Sequence, residues 1–289
     1  VKMLILVLQQ CMKILILPIY VLAYFGLWDP ICKKTFPFFM KKLSKSYNVK
    51  LHKEKETLFK NMQDFTDPSG KLHLLEIGVG TGTNFQFYPP NTRVTCVDYN
   101  PNFQNFLLES MAQNTHLHFD NFVVASAENL SSVPDNSVDV VVCTLVLCSV
   151  NSPRAALKEV LRVLKPGGAF YFMEHVAADR STWTYFWQQV CDPSWRYVGD
   201  GCSLLKETWK DLENVGFSKL NLQHIIGPLF LSIVRPHIYG YALLSRSGPT
   251  HLPLHYPVHE GHSHYQRTGC EHKCSPSLPG SEVNCGLCN

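Results

Sequence analysis

The feature that most constrains the fold of this chain is a glycine-rich turn that follows a short apolar run. Residues 74–77 (LLEI) lead directly into Gly78, Gly80 and Gly82, which alternate with other residues. A continuous apolar run is typical of a parallel strand that is buried on both faces. Because glycine has no side chain, a ligand can closely approach the backbone N–H groups of such a turn. The segment therefore predicts a strand, a ligand-binding turn and a helix of an α/β protein.

The next strand and the glycine spacing indicate which ligand this turn binds. The strand predicted at 93–97 ends in Asp98, where an acid can bind the hydroxyls of a ribose. A dinucleotide-binding turn is spaced G-x-G-x-x-G, whereas here the third glycine comes one residue early and Thr83 takes its place. Glu76 would repel a pyrophosphate but could stand behind the loop or pair with a cationic cofactor. The pattern favours a nucleoside cofactor without phosphates.

The pattern E-x-G-x-G-x-G from Glu76 to Gly82, followed by Asp98, resembles motifs I and II of class I S-adenosylmethionine-dependent methyltransferases. This resemblance implies a Rossmann-like class I methyltransferase fold with S-adenosyl-L-methionine as cofactor. It also implies cofactor contacts after the third and fourth strands, although many relatives have an acid where this chain has Ser126. The implied cofactor-binding residues are Glu76, Gly78, Gly80, Gly82, Asp98, Ser126, Ala127 and Cys143.

The alternation of strands and helices predicts a sheet of seven mostly parallel strands between residues 70 and 244. Five strands are predicted at 72–77, 93–97, 119–124, 138–143 and 169–173, and a closing pair at 217–225 and 236–244. Helices are predicted at 47–65, 84–88, 100–113 and 153–164, the last ended by a Pro-Gly-Gly turn at 166–168.

Further stretches resemble one family within this superfamily, the methyltransferase-like protein 7 family. They are residues 143–150, 172–176, 183–189 and 235–240, together with the apolar N-terminus that runs into residues 31–34. The family consists of membrane-associated thiol S-methyltransferases of the endoplasmic reticulum and lipid droplets. The resemblance implies a small lipophilic thiol as methyl acceptor and a catalytic domain that faces the cytosol. Two alternatives stay open: a lipid or quinone methyltransferase, and a non-catalytic membrane protein that retains the fold.

His175 is the candidate catalytic residue. It follows the fifth strand, at the edge of the sheet where open α/β folds bind their ligands. A thiol is already partly ionised at neutral pH, so a base is optional, but a nearby histidine would assist. The alternative is a structural hydrogen bond at the strand end. For Cys143 and Cys148, a place in the pocket wall or core is favoured over a nucleophilic role.

The N-terminus predicts attachment to a lipid surface. Residues 1–30 are mostly apolar and are interpreted as an uncleaved membrane anchor, interrupted by Lys13 and kinked at Pro18. Residues 31–69 form a basic and aromatic linker and a helix, whose lysines suit the interface of a cytosol-facing leaflet. A cleaved signal peptide and a helix that covers the domain are the alternatives.

Composition excludes other classes of function. The net charge of +3 and the lack of a basic patch interleaved with aromatics argue against nucleic acid. Cysteines within apolar runs favour a reducing compartment, and the domain shows no metal-ligand spacing. Residues 245–289, rich in His, Pro and Ser, are interpreted as a disordered tail, with a zinc site at Cys270, Cys274, Cys285 and Cys288 as the alternative.

Overall fold

The computed structural model describes residues 1–247, and the predictions for the tail beyond Ser247 lie outside these residues. Eight α-helices are assigned within the described part of the chain. They are α1 (Lys2–Leu15), α2 (Leu17–Tyr24), α3 (Trp28–Lys50), α4 (His52–Phe59), α5 (Gln104–Gln113), α6 (Pro153–Val163), α7 (Trp183–Val198) and α8 (Thr208–Asn214).

The centre of the described chain is one seven-stranded sheet in the order β3-β2-β1-β4-β5-β7-β6. The strands are β1 (Leu72–Ile77), β2 (Thr92–Asp98), β3 (His118–Val124), β4 (Val138–Thr144), β5 (Leu164–His175), β6 (Lys219–Ile226) and β7 (Pro236–Leu243). Neighbouring strands from β3 to β5 are parallel, whereas β7 runs antiparallel to both β5 and β6. The predicted seven-stranded, mostly parallel sheet and its closing pair are confirmed.

The sheet separates two apolar cores because alternate residues of a strand point to opposite faces. On one face Val141 and Phe170 pack with helix α6, through Leu157 and its neighbours. On the other face Val140 and Tyr171 pack with residues from α4 onward, including Phe59. Both faces are therefore covered, which explains the nearly continuous apolar sequence of β4.

The fifth strand is longer than predicted. It begins at Leu164, so the Pro-Gly-Gly segment at 166–168 lies inside β5 and not in a free turn. The register with β4 shifts here, from Val138 opposite Leu164 to Val140 opposite Ala169. This bulge accommodates the extra residues, and Gly167 takes up the required left-handed backbone at φ 85°.

The N-terminal residues form three helices, α1 to α3, across the predicted anchor and the segment predicted as a linker. Within residues 1–247, no single helix combines the length and the apolar character needed to cross a membrane. Helices α1 and α2 meet those two criteria only as a pair, and the pair is bent by 75°. Helix α3 then continues for 23 residues through the segment predicted as a linker. The predicted helix 47–65 corresponds to the end of α3, to α4 and to a 3-10 turn at Met62–Phe65.

Candidate cofactor and acceptor site

The glycine-rich turn is fixed to the neighbouring strand by its backbone. The N–H groups of Gly78 and Val79 both donate to the carbonyl oxygen of Val97, at 2.8 and 3.1 Å. Gly78 and Gly80 adopt left-handed backbone angles, with φ of 65° and 52°. These angles are accessible to glycine at little cost and explain the alternating glycines. The turn therefore lies at the carboxyl edge of the sheet, between the ends of β1 and β2.

Gly78 also allows the loop after β4 to contact the turn. A Cβ atom at Gly78 would lie 2.1 Å from Cγ2 of Val146. At Gly80 the same atom would make only an ordinary van der Waals contact, 3.8 Å from the Phe103 ring. Close packing within the protein therefore requires the first glycine, whereas it does not require the second.

Asp98 lies beside the turn, as predicted. Its carboxylate accepts the N–H of Gly80 at 3.0 Å and that of Asn100 at 2.9 Å. Burial raises the pKa of Asp98 to about 6, against the effect of these hydrogen bonds. A carboxylate has about four acceptor positions, so the group can still accept a hydrogen bond from a diol.

Glu76 points away from the turn, into a buried polar network. Its Oε1 accepts a hydrogen bond from the side-chain amide of Asn84 at 2.8 Å, and Lys55 donates to Asn84 Oδ1 at 2.8 Å. Burial raises the pKa of Glu76 to about 7 and lowers that of Lys55 to about 8. The network supports the turn from behind, which is one of the two roles that the sequence suggested for this acid.

The other predicted cofactor residues, Ser126, Ala127 and Cys143, differ in their exposure and in their contacts. Ser126 is exposed and Ala127 buried in the loop after β3, and this loop is fixed to β2 by the bond from Ala125 N–H to the carbonyl oxygen of Asp98. Cys143 is fully buried, and its thiol lies 3.6 Å from Glu174 Oε1. The structure does not bring the Cys143 thiol to the glycine turn; its contact is with Glu174.

Glu174 organises the loop after β4, which comprises residues 145–150. Its two carboxylate oxygens accept the N–H groups of Val146 at 3.1 Å and of Cys148 at 3.3 Å. Burial raises the pKa of Glu174 to about 7, opposed by these backbone hydrogen bonds. The same loop touches Gly78 on one side, and on the other its Cys148 carbonyl oxygen accepts the N–H of Ser203 at 2.9 Å.

His175 is buried at the end of β5 and has a defined orientation. Its Nε2 lies 3.1 Å from the carbonyl oxygen of Ile233. A carbonyl can only accept, so Nε2 carries the proton and Nδ1 is left with its lone pair. The Cys202 Sγ atom lies 3.9 Å from this Nδ1. His175 therefore makes the structural bond foreseen as the alternative and also presents a proton acceptor to a sulfur atom.

A second histidine, His237, lies opposite His175 in the pairing of β5 with β7, with the ring centroids 5.8 Å apart. Its Nδ1 faces the carbonyl oxygen of Arg235 at 2.9 Å, and its Nε2 lies 2.6 Å from the Tyr47 hydroxyl. The carbonyl requires a proton on Nδ1, so Tyr47 donates to Nε2. Burial, reinforced by His175, lowers the pKa of His237 to about 4, consistent with a neutral ring.

Helix α3 covers the carboxyl edge of the sheet. Near its start, the carbonyl oxygen of Lys33 accepts a hydrogen bond from the Asn100 side chain at 2.9 Å. Near its end, the Asn48 amide donates to the carbonyl oxygen of Thr83 at 2.8 Å. The helix thus runs from the residues after Asp98 to those after the glycine turn, over the place where the cofactor is expected.

Several residues of this site were not identified from the sequence. They are Tyr47, Lys55, Glu174, Cys202 and His237, which come from five different segments. Glu174 could have been noticed as an acid that ends an otherwise apolar strand. The remainder carry no local signal, because only the tertiary fold brings them together.

The residues present fit the expected cofactor. Asp98 offers buried acceptor oxygens beside the turn, and the loop after β4 is held next to the turn by Glu174 of β5. A phosphate-free ligand is favoured because Asp98 is an acid beside the turn. Within residues 1–247 no group of three or more His, Cys, Asp or Glu residues could hold a metal ion.

The fold and the site together define a class I S-adenosylmethionine-dependent methyltransferase. A family model described as "Methyltransferase domain" matches residues 75–172. The crystal structure of a putative sarcosine dimethylglycine methyltransferase from Galdieria sulphuraria is similar with a TM-score of 0.51 at 12% identity, covering 67% of this chain and 86% of that one. At this identity the likeness concerns the fold alone.

Comparison of sequences narrows the class. Thiol S-methyltransferase TMT1A of Homo sapiens is 61% identical over 222 residues, which cover 77% of this chain and 91% of that protein. Thiol S-methyltransferase TMT1B of Homo sapiens is 51% identical over 236 residues, which cover 82% and 97%. The chain belongs to the family of these two proteins, and the predicted resemblance is confirmed. It is a methyltransferase that uses S-adenosylmethionine as methyl donor.

Proposed function

We propose that this enzyme transfers a methyl group from S-adenosylmethionine to the sulfur of small lipophilic thiols. The names of the relatives support a thiol acceptor, since the chain matches nearly their whole length. The observation that carries the proposal is the double contact of loop 145–150. This loop packs against Gly78 of the cofactor turn. On its other side the Cys148 carbonyl oxygen accepts the N–H of Ser203 at 2.9 Å, next to the Cys202–His175 pair.

The chemistry requires position and exclusion of water more than strong acid–base catalysis. The bound cofactor supplies a methyl group activated by a sulfonium centre. A thiol with a reference pKa of about 8.5 is partly ionised at neutral pH. In this proposal His175 Nδ1, held in its accepting tautomer by Ile233, takes the proton of the acceptor thiol. Helix α3 and the buried surroundings of Glu174 keep this region dry.

An acceptor screen tests the proposal. The full chain is incubated with labelled S-adenosylmethionine and alkanethiols of increasing length, with matching alcohols and a quinol as controls. We expect methylation of thiols that improves with apolar length, and none of the alcohols. Methylation of the quinol with no thiol product would overturn the thiol assignment and support the lipid or quinone alternative.

We further propose that α1 and α2 attach the enzyme to the endoplasmic reticulum membrane or to lipid droplets, with the catalytic domain facing the cytosol. Most apolar side chains of these helices are exposed, for example Tyr24 at 86% and Phe25 at 68%. On α3 the exposed Phe38 and Phe39 accompany exposed lysines, a combination suited to an interface with anionic lipid. The 75° bend favours helices that lie in the interface over one straight span.

Flotation with liposomes tests this attachment. The apolar face of α1 and α2 is weakened by Leu17→Glu with Val21→Glu, both exposed positions, and the matched control carries Leu108→Glu, an exposed leucine on α5. We expect the double variant to remain in the soluble fraction and the control to float. Equal flotation of both proteins would contradict attachment through the N-terminal helices. Protease protection of the chain in microsomes would contradict the cytosolic orientation.

A further inference from the structure

Two thiols of this chain, those of Cys148 and Cys202, lie together beside His175. Each thiol shifts the pKa of the other, and Cys202 Sγ lies 3.9 Å from His175 Nδ1. The backbones are joined at the same point, since the N–H of Ser203 donates to the carbonyl oxygen of Cys148 at 2.9 Å. Both residues are free cysteines. The main chains thus approach each other closely enough for the side chains to meet.

The orientation of His175 is supported by a buried amide. The Gln188 side chain donates to the carbonyl oxygen of Ile233 at 2.9 Å, the same oxygen that binds His175 Nε2. Gln188 is itself fully buried and also accepts the N–H of Ala178 at 2.7 Å. This arrangement directs His175 Nδ1 at the Cys202 sulfur, where it can accept the thiol proton.

The two thiols are not equivalent. Cys202 is partly exposed, whereas Cys148 is buried. The hydrogen bond with Cys148 and the contact with His175 lower the pKa of Cys202, and the same hydrogen bond together with burial raises that of Cys148. An accessible, activated thiol next to a buried partner is the arrangement that attacks a disulfide and then resolves the mixed disulfide.

We propose that Cys202 and Cys148 form a thiol–disulfide exchange site for small apolar disulfides. The Cys202 thiolate attacks one sulfur of R–S–S–R, which forms a Cys202–S–S–R bond and releases one R–S⁻. The Cys148 thiolate then displaces the second R–S⁻ and forms the Cys148–Cys202 disulfide. Protons return to the two released thiolates from the cysteines, through His175. A pair of external thiols, such as glutathione, reduces the internal disulfide and becomes oxidised in turn.

The exchange would supply this enzyme with its own acceptor. The role of the exchange in supplying an acceptor rests on the proposed thiol methylation, whereas the exchange reaction itself does not. Each disulfide consumed yields two thiols at the place where His175 and loop 145–150 meet. The site therefore accepts the oxidised form of the same apolar compounds whose reduced form would be methylated.

The experiment uses the reduced full chain and dibutyl disulfide as the probe, without S-adenosylmethionine. Released butanethiol is quantified, and the protein is analysed by intact mass and by peptide mapping without reduction. We expect wild type to release two thiols per chain and to contain the Cys148–Cys202 disulfide. Cys148→Ser should stop at the mixed disulfide on Cys202, and Cys202→Ser should release no thiol.

Cys191→Ser is the matched control, because Cys191 is partly buried on α7 but forms no part of the pair. It should behave as wild type. A mixed disulfide that persists in the wild type, or one located on Cys11, overturns the proposal. If a serine variant fails to fold, the alanine variant replaces it.

Methylation of butanethiol is assayed in parallel. Methylation that persists without exchange refutes the exchange site alone. Absence of methylation with intact exchange refutes the thiol acceptor alone.

Discussion

Glu174 at the end of β5 accepts the backbone N–H of Val146 at 3.1 Å, although its side chain is fully buried. This bond joins the fifth strand to the loop that follows the fourth. The acid therefore determines where the cofactor turn and the acceptor region meet. Since burial raises the pKa of Glu174 from its ordinary value of 4.5 to about 7, the contact also depends on pH.

We expect Glu174→Gln to reduce the pH dependence of stability. The pKa of Glu174 is higher in the folded than in the unfolded chain, so its contribution is greatest below pH 4.5 and is lost as the pH rises to about 7. The loss amounts to roughly 3 kcal/mol at most. Urea unfolding of both proteins between these pH values should show a smaller decline in the variant. Parallel declines would show that Glu174 does not titrate in this range.

Gly78→Ala should destabilise the protein more than Gly80→Ala. Both glycines have positive φ, but only at Gly78 would the new methyl group collide with Val146. We expect a cost of roughly 2–5 kcal/mol at Gly78, from backbone strain and overpacking, and about 1–2 kcal/mol at Gly80 from strain alone. Thermal unfolding measures both.

The collision at Gly78 can be relieved. In the double variant Gly78→Ala/Val146→Ala, the shortened side chain at position 146 should restore part of the lost stability. Val146→Ala in the wild-type background completes the double-mutant cycle. Simple additivity of the two substitutions would contradict the contact between the turn and the loop.

Asp98→Asn should weaken S-adenosylmethionine binding by roughly 10–100-fold, because hydrogen bonds to a charged group are stronger than those to an amide. Isothermal titration measures the change. Asp120→Asn is the matched control, since Asp120 pairs with Arg93 at the surface. This variant should bind S-adenosylmethionine with the affinity of wild type. Unchanged affinity of Asp98→Asn would mean that the cofactor motif is wrongly assigned.

The same carboxylate predicts a pH effect on cofactor binding. The pKa of Asp98 is raised by burial to about 6 in the folded chain. Below that pH the group is protonated and loses acceptor strength, so the affinity of wild type should fall. Asp98→Asn should show a weaker affinity that changes less over the same range.

Asn48→Ala should loosen the cover formed by α3. Its amide donates to Thr83, and its Oδ1 accepts from the buried Lys55 at 2.6 Å. We expect the loss of these bonds to cost about 1–3 kcal/mol and to speed amide hydrogen exchange in α3. Lys45→Ala, an exposed position on the same helix, should leave exchange unchanged. Equal exchange in both variants would contradict the role of Asn48.

The sheet could be predicted because its signals are local. Each parallel strand is a short apolar run bounded by turn residues, and the run from Glu76 to Gly82 carries a motif within seven consecutive positions. The bulge in β5 could not be foreseen, because Pro-Gly-Gly is equally compatible with a turn. Its place inside a strand follows only from the pairing with β4.

The cover of the site was missed because helix α3 has two apolar faces. Phe38 and Phe39 are exposed, whereas Cys32 and Pro37 are buried. A helix that serves two surfaces shows no clean amphipathic period, so residues 31–50 resembled a linker. The acceptor region was missed for another reason: a tertiary contact between separate segments brings Cys202 to His175.

The bond between Tyr47 and His237 joins residues 190 positions apart in the chain. Contacts of such separation form late, because the intervening chain must first be ordered. During synthesis, α3 can complete its docking only after β7 has left the ribosome. Helices α1 and α2 emerge long before, while the methyl-transfer site is still open. The separation of Tyr47 and His237 along the chain therefore means that the N-terminal helices leave the ribosome before the site can close.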